Sequence, residues 1–263
     1  MSQDDTQHQD TTPPETDDEN AVELYVLAEG IRKRPGMYAS HVHEQNIRHA
    51  MLEMLVSHQV FHNVLHERLA RTIVTLHEDG SATVEDFGVG YALPETSEQL
   101  LEVFNDFGGT NRAHGAAVYP AMQHYTDGIS LHSIPALAFT SALSTQLAFE
   151  SRRDGKRWSQ AFSRGVPVGE LQDLGATERT GTRVTFDPDT DHLKEERGFD
   201  FEMVSTDLER LAWMYPGLRV HLLEEGTMRT HEAFYPNGAS DLIARHHDIP
   251  QDQIFSSRIP VTA

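Results

Sequence analysis

The order of apolar and polar residues predicts a helix followed by a β-hairpin between residues 47 and 90. Apolar positions near helical spacing predict one buried helix face, formed by Ile47, Met51, Leu55, His58 and Leu65. The β-branched run at residues 72–76 predicts a strand, residues 79–80 a turn, and residues 82–85 the returning strand.

The returning strand leads into Asp-Phe-Gly-Val-Gly at residues 86–90. This pattern predicts one carboxylate at a strand end, beside glycines at 88 and 90 that lack Cβ atoms and let a ligand approach closely. A tight surface turn is the alternative interpretation of this stretch alone. A protein kinase is excluded, because no Gly-rich loop, V-A-I-K-like lysine or H-R-D loop accompanies the Asp-Phe-Gly triplet.

The later part of the chain mixes helices with hairpins. Apolar residues at helical spacing predict a helix over 201–211, and residues 218–222 and 232–235 predict a further hairpin. A short helix is expected at 241–244. Hairpins among helices, with few parallel crossovers, predict an α+β fold with two layers.

Composition narrows the function. The 263 residues carry 41 acids against 21 Lys and Arg, a net charge of −20, so we expect no direct binding to duplex DNA. There is no Cys, which excludes disulfides and thiolate chemistry. No apolar run approaches about 18 residues and no basic, apolar leader follows Met1, so we expect a cytoplasmic protein with no membrane partner.

A resemblance to a known family begins at residues 32–38, which read Arg-Lys-Arg-Pro-Gly-Met-Tyr. This segment resembles the one before the first core helix in the N-terminal ATPase domain of gyrase B and its topoisomerase IV counterpart, of the GHKL ATPase superfamily. The three cations could pair with carboxylates or form a solvated helix end. The resemblance implies a GHKL (Bergerat) two-layer α/β sandwich, whose mixed, mostly antiparallel sheet is covered by helices.

The resemblance also implies site residues. Glu53 corresponds to the family's catalytic glutamate and would act as the general base, if the site is active. Asp86 corresponds to the aspartate that binds the adenine amino group. The other nucleotide-binding positions it implies are Gly88, Gly90, Gly108, Gly109, Leu131, His132 and Thr182.

Several family features are altered. Ser57 stands where the family has a magnesium-binding Asn, and its hydroxyl is a weaker candidate ligand, which puts magnesium in doubt. The phosphate-binding loop, Gly-rich in the family, has no glycine at 129–135, and a proline at 135 removes one N–H. The helix after Glu53 also carries two extra residues before Thr72. The residues that would bind adenine are kept better than those that would bind the triphosphate.

We therefore expect a gyrase-B-like domain that binds ATP or another adenine nucleotide weakly and has no or very weak ATPase activity. Its leading function would be a non-catalytic binding or regulatory module acting through a protein partner, such as a gyrase or topoisomerase subunit or a second copy of itself. The alternative is a slow magnesium-dependent ATPase working with a partner subunit of the type IIA topoisomerase kind. A third hypothesis is aminocoumarin binding, since Asp86, Arg153 and Thr182 lie where the family contacts those inhibitors.

The same reasoning divides the chain into three parts. Residues 1–20 contain seven acids and no Lys or Arg, which predicts a disordered acidic tail. Residues 21–245 are expected to form the gyrase-B-like domain. Residues 246–263 are expected to be an extension where a gyrase subunit would enter its transducer domain, which we expect to be absent.

Overall fold

The computed structural model describes residues 19–39, 46–69, 71–96, 99–100, 103, 136–194 and 198–247. The helices bounded there are α1 (Glu19–Lys33), α2 (Ile47–Leu65), α3 (Ala136–Ala142), α4 (Thr190–Leu193), α5 (Phe201–Met214) and α6 (Ala239–His247), with a 3-10 turn at Pro35–Met37. The strands are β1 (Thr72–Leu76), β2 (Ala82–Asp86), β3 (Ser144–Arg153), β4 (Lys156–Ser163), β5 (Val166–Ala176), β6 (Gly181–Pro188), β7 (Arg219–Glu224) and β8 (Arg229–Phe234).

One eight-stranded sheet organises these elements, in the order β5-β4-β3-β6-β2-β1-β7-β8. Strands β1 and β7 run parallel, and the other neighbouring pairs are antiparallel. Helices α1, α2, α3 and α5 pack against the sheet and against one another around one hydrophobic core. This is the mixed, mostly antiparallel α+β sandwich that the sequence predicts.

The two central helices begin at side-chain caps. Asn46 accepts a hydrogen bond from the backbone N–H of His49 at the start of α2, and Asp200 caps α5 in the same way. Most of the predicted buried face of α2 is confirmed, although Leu65 is only half-buried. The helix packs against β2 of the sheet and against α3 and α5.

The basic segment after α1 divides between the two predicted alternatives. Arg32 is buried and pairs with Asp189 at 3.1 Å, whereas Lys33 is exposed. Although burial alone would raise the pKa of Asp189, hydrogen bonds from Arg164, His192 and Arg32 hold that pKa below its ordinary value. Arg32 is thus a structural ion-pair partner that ties α1 to the end of β6.

The predicted boundaries shift slightly. Helix α1 begins at Glu19, two residues before the predicted start of the domain, and α6 extends to His247. Residues 1–18 and 248–263 lie outside the described residues, so the acidic tail and most of the C-terminal extension stay predictions. None of the helices in the described ranges has the length and apolar character needed to cross a membrane.

Candidate functional site

Asp86 lies at the end of β2, buried with 1% of its surface exposed. Its Oδ1 accepts hydrogen bonds from the Asn63 carboxamide at 2.9 Å and from the backbone N–H of Gly88 at 2.8 Å. Its Oδ2 accepts from the backbone N–H of Thr182 at 3.2 Å and from the Thr182 hydroxyl. The structure therefore brings Asp86, Gly88 and Thr182 together, as their assignment to one site requires.

The ionisation of Asp86 reflects two opposing effects. Burial raises the pKa of its carboxyl above the ordinary value, and the hydrogen bonds from Thr182, Asn63 and Gly88 oppose that rise. A carboxylate that accepts several hydrogen bonds is stabilised in its charged form. Loss of any of these donors would therefore raise the pKa of Asp86 further.

Two glycines allow the backbone of the site to close. Gly90 has φ of +65°, and a Cβ there would overlap the carbonyl oxygen of Arg152. Gly181 has φ of +117°, and a Cβ there would overlap the carbonyl oxygen of Asp86. In the described residues, the close approach to Gly90 is thus made by the chain itself, at the carbonyl oxygens of Arg152 and Gly181. The nucleotide-binding role of Gly90 stays a prediction.

The need for a glycine at position 88 has a different cause. Its φ is not in the left-handed region, but a Cβ there would overlap the carboxamide of Asn63. The sequence reasoning missed Asn63, which is 2% exposed and lies near the C-terminal end of α2. Its carboxamide takes up the space that the absent Gly88 side chain leaves.

Glu53 and Ser57 lie on another side of α2. At 100° per residue they stand about 80° to 120° around the helix axis from Asn63. Glu53 accepts a hydrogen bond from Arg210 of α5, which also bonds Asp207. A cavity of about 20 Å³ between the two helices is lined by Glu53, Ser57, Asp207 and Arg210 with apolar neighbours. The structure does not bring Glu53 or Ser57 together with Asp86, and their assigned roles stay predictions.

Gln59 lies one turn before Asn63 on α2, about 40° around the helix axis, and Leu55 lies two turns before it, about 80° around the axis in the opposite sense from Glu53. Leu55 is fully buried. Gln59 is 3% exposed, and neither its amide nitrogen nor its oxygen has a hydrogen-bond partner among the described residues. The two extra residues before Thr72 allow a second alignment of α2 with the family. Counted back from β1, the positions that the resemblance assigns to the glutamate and the asparagine move from 53 and 57 to 55 and 59.

Two histidines of α2, His58 and His62, contact Tyr91 beside this part of the helix. The rings of His62 and Tyr91 stack at 4.2 Å, and His58 Nε2 lies 2.9 Å from the Tyr91 hydroxyl. Burial lowers the pKa of His62 to about 3, and the charges of His58, His66 and Arg153 add to the effect. The His62 side chain is therefore uncharged over the physiological pH range.

Four other predicted positions, Gly108, Gly109, Leu131 and His132, lie outside the described residues, as does the altered loop at 129–135. Their roles stay predictions. Among the residues that are described, no group of three or more His, Asp or Glu side chains could hold a metal ion. The weak candidacy of Ser57 as a magnesium ligand stays a prediction.

Sequence comparisons find relatives among the B subunits of type II topoisomerases. The B subunit of DNA gyrase from Halalkalibacterium halodurans is 28% identical over 258 residues, covering 93% of this chain and 37% of that protein. The B subunit of the type 2 topoisomerase from Aquifex aeolicus is 34% identical over 224 residues, covering 82% of this chain and 26% of that protein. The chain thus spans between about a quarter and somewhat more than a third of the length of these relatives. No family model matches it.

A solved structure agrees with the sequence relatives. The 43K ATPase domain of Thermus thermophilus gyrase B, in complex with an aminocoumarin, superimposes with a TM-score of 0.65 at 25% sequence identity. The match covers 84% of this chain and 56% of that one. Similar sequence and similar fold thus extend over most of the chain.

Proposed function

This chain contains a gyrase-B-like domain of the GHKL ATPase type, and we propose that it is a non-catalytic binding module that acts through a protein partner. The observation that carries the proposal is the set of contacts made by Glu53, which the resemblance assigns as the general base. Arg210 of α5 donates a hydrogen bond to its carboxylate. ATP hydrolysis by this fold depends on a general base that can accept a proton from water.

The contacts of Glu53 support the same proposal. Its carboxylate is mostly buried, with 14% of the side chain exposed, and it pairs with Arg210. The guanidinium occupies hydrogen-bonding capacity that a general base needs for an attacking water. Glu53 would have to exchange its contact with Arg210 for a water molecule before it could act as a base.

We propose a gyrase or topoisomerase subunit, or a second copy of this chain, as the partner. Support comes from the relatives, which are named as subunits. Sedimentation of the purified chain alone, and mixed with purified gyrase and topoisomerase IV subunits, tests both partners. A complex with one of these subunits or a concentration-dependent dimer supports the proposal, and a monomer that binds none of them contradicts it.

Phosphate release from ATP, with and without magnesium, tests the absence of catalysis. We expect the wild type and Glu53→Ala to be indistinguishable from a protein-free blank, with Arg179→Ala, a change at an exposed residue, as the control. Turnover that Glu53→Ala abolishes and Arg179→Ala leaves unchanged would contradict a non-catalytic role.

A slow, magnesium-dependent ATPase that works with a partner subunit is the second candidate. The pairing of Asp86 with Thr182, both kept as the resemblance implies, favours it, because these residues would hold the adenine of a weakly bound nucleotide. Calorimetric titration with ATP, ADP and AMP in magnesium tests this candidate. Similar, weak affinities for all three fit a degenerate phosphate site, whereas a strong preference for ATP together with turnover favours the ATPase.

A further inference from the structure

The carboxamide of Asn63 is fully used by the chain itself. Its Nδ2 donates one hydrogen bond to the carbonyl of Gln59 and one to Asp86, each at 2.9 Å. Its Oδ1 accepts a hydrogen bond from the backbone N–H of Val89 at 2.8 Å. The side chain therefore satisfies an acceptor and a donor on the D-x-G-x-G segment at the same time.

A planar group lies against a bare glycine in this arrangement. The carboxamide fills the space that a Cβ on Gly88 would need, so the amide lies directly on the backbone. Glycine in a strand-end turn commonly marks a place where a ligand or another chain segment approaches closely. Here the approaching group is a side chain of α2.

The chemistry of a carboxamide matches that of one edge of a purine. A carboxamide presents an N–H donor beside a C=O acceptor, and the 6-amino edge of adenine presents an N–H donor beside a ring-nitrogen acceptor. Both edges complement the acceptor on Asp86 and the donor at Val89 N. The two groups are also planar, as the space over Gly88 requires.

We propose that Asn63 is an internal substitute for an aminopurine edge and occupies the recognition position at Asp86. This inference rests on the proposed assignment of Asp86 and Thr182 to an adenine compound, and it gives the residue that excludes that compound. An aminopurine can pair with Asp86 only when Asn63 has moved away. Removal of the carboxamide therefore opens the position.

Titration with adenosine tests the proposal, since adenosine has no phosphates and its binding does not depend on the phosphate site. We expect Asn63→Ala to bind adenosine at least tenfold more tightly than the wild type. Asn63→Ser serves as a second variant, and a thermal melt checks that each variant is folded. Gln160→Ala is the matched control, since Gln160 is a buried amide on β4 that bonds the carbonyls of Ala161 and Val168.

A second ligand tests whether the 6-amino group is the donor that Asp86 recognises. Purine riboside lacks the 6-amino group, so it has no donor for Asp86, and its affinity should not rise in Asn63→Ala. Three results would overturn the proposal: equal adenosine affinity in the wild type and both folded Asn63 variants, an equal gain in Gln160→Ala, or an equal gain for purine riboside. ATP turnover by the wild type would contradict the proposed function and leave this test intact.

Discussion

Arg210 of α5 donates a hydrogen bond to the carboxylate of Glu53 on α2. The same guanidinium nitrogen also bonds Asp207 at 3.1 Å, so one cation joins carboxylates on two helices. About a third of the Arg210 side chain is exposed, whereas Glu53 and Asp207 are each 14% exposed. Glu53 therefore holds α2 against α5 in this arrangement.

A double-mutant cycle measures this link. Glu53→Ala and Arg210→Ala should each lower the free energy of unfolding by about 1 kcal/mol, and the double variant should lose less than the sum, because the two changes remove one shared interaction. Urea denaturation measures all three. The i,i+4 pair of Glu29 with Lys33, whose lysine is 70% exposed, gives the comparison cycle and should couple by no more than about 0.5 kcal/mol. Additive losses at 53 and 210 would mean that the pair does not stabilise the fold.

Gly88 and Asn63 should also be coupled. Gly88→Ala places a methyl group against the Asn63 carboxamide, and overpacking of this kind costs about 1–3 kcal/mol. In an Asn63→Ala background the methyl group has room, so the cost should largely disappear. Gly36→Ala is the control, since a Cβ at that exposed position meets nothing within 4 Å. Thermal melts of each variant measure the loss of stability. An equal loss from Gly88→Ala in the wild-type and Asn63→Ala backgrounds would contradict the contact.

Replacement of Asp86 by Asn should be destabilising. The carboxylate accepts four hydrogen bonds, and an amide would put an N–H against donors on one side. A buried group left unpaired costs about 1–3 kcal/mol, so urea denaturation of Asp86→Asn should show a loss of that size. The control Asp154→Asn changes a carboxylate that is 78% exposed and should be near neutral. Wild-type stability in Asp86→Asn would mean that the site tolerates an unpaired donor.

His62 should make the fold sensitive to acid. Its pKa is lowered from 6.5 to about 3, so below pH 6.5 the unfolded chain binds a proton that the folded chain does not. The stability that a neutral His62 contributes is therefore present above pH 6.5 and is lost as the pH falls towards 3. Between pH 6.5 and about pH 5 the loss is about 2 kcal/mol.

The variant His62→Phe isolates this effect, because it keeps an aromatic ring beside Tyr91 and cannot titrate. Its stability relative to the wild type should rise by about 2 kcal/mol between about pH 7.5 and pH 5. Urea denaturation at both pH values gives the difference, and His231→Phe, a change at a half-buried histidine on β8, is the control. A difference between wild type and His62→Phe that does not vary with pH would contradict the lowered pKa.

Duplex DNA should not bind to this chain at physiological salt. The net charge of −20 repels a phosphate backbone, and Arg32, one of its clustered cations, is buried against Asp189. An electrophoretic shift assay at several salt concentrations checks this. A submicromolar, salt-dependent complex would contradict it.

The fold could be predicted from the sequence because its signals are local. The β-branched run at residues 72–76, the returning strand at 82–85 and the turn between them specify the β1–β2 hairpin, and the pairing of Thr72 with Asp86 follows from its length. The parallel pairing of β1 with β7 has no such local signal, since it joins residues separated by more than a hundred positions. That part of the topology was implied by the resemblance alone.

The site was harder to predict, because the residues assigned to a helix face depend on the position from which the alignment is counted. Starting from residues 32–38 assigns the family's glutamate and asparagine positions to Glu53 and Ser57, whereas starting from β1 assigns them to Leu55 and Gln59. A change of two residues turns a helix by about 200°, which moves a side chain to a different neighbour. The adenine-side residues were insensitive to this choice, since Asp86 and Gly88 are fixed by the strand that precedes them.

The bare backbone of Gly88 has a consequence for pattern searches. A glycine that must stay small because a side chain rests on it is under the same selection as a glycine that must stay small because a ligand rests on it. Any method that scores D-x-G-x-G alone will give the two cases equal weight. The distinguishing residue lies outside the pattern, at position 63, some 25 residues upstream of the glycine it covers.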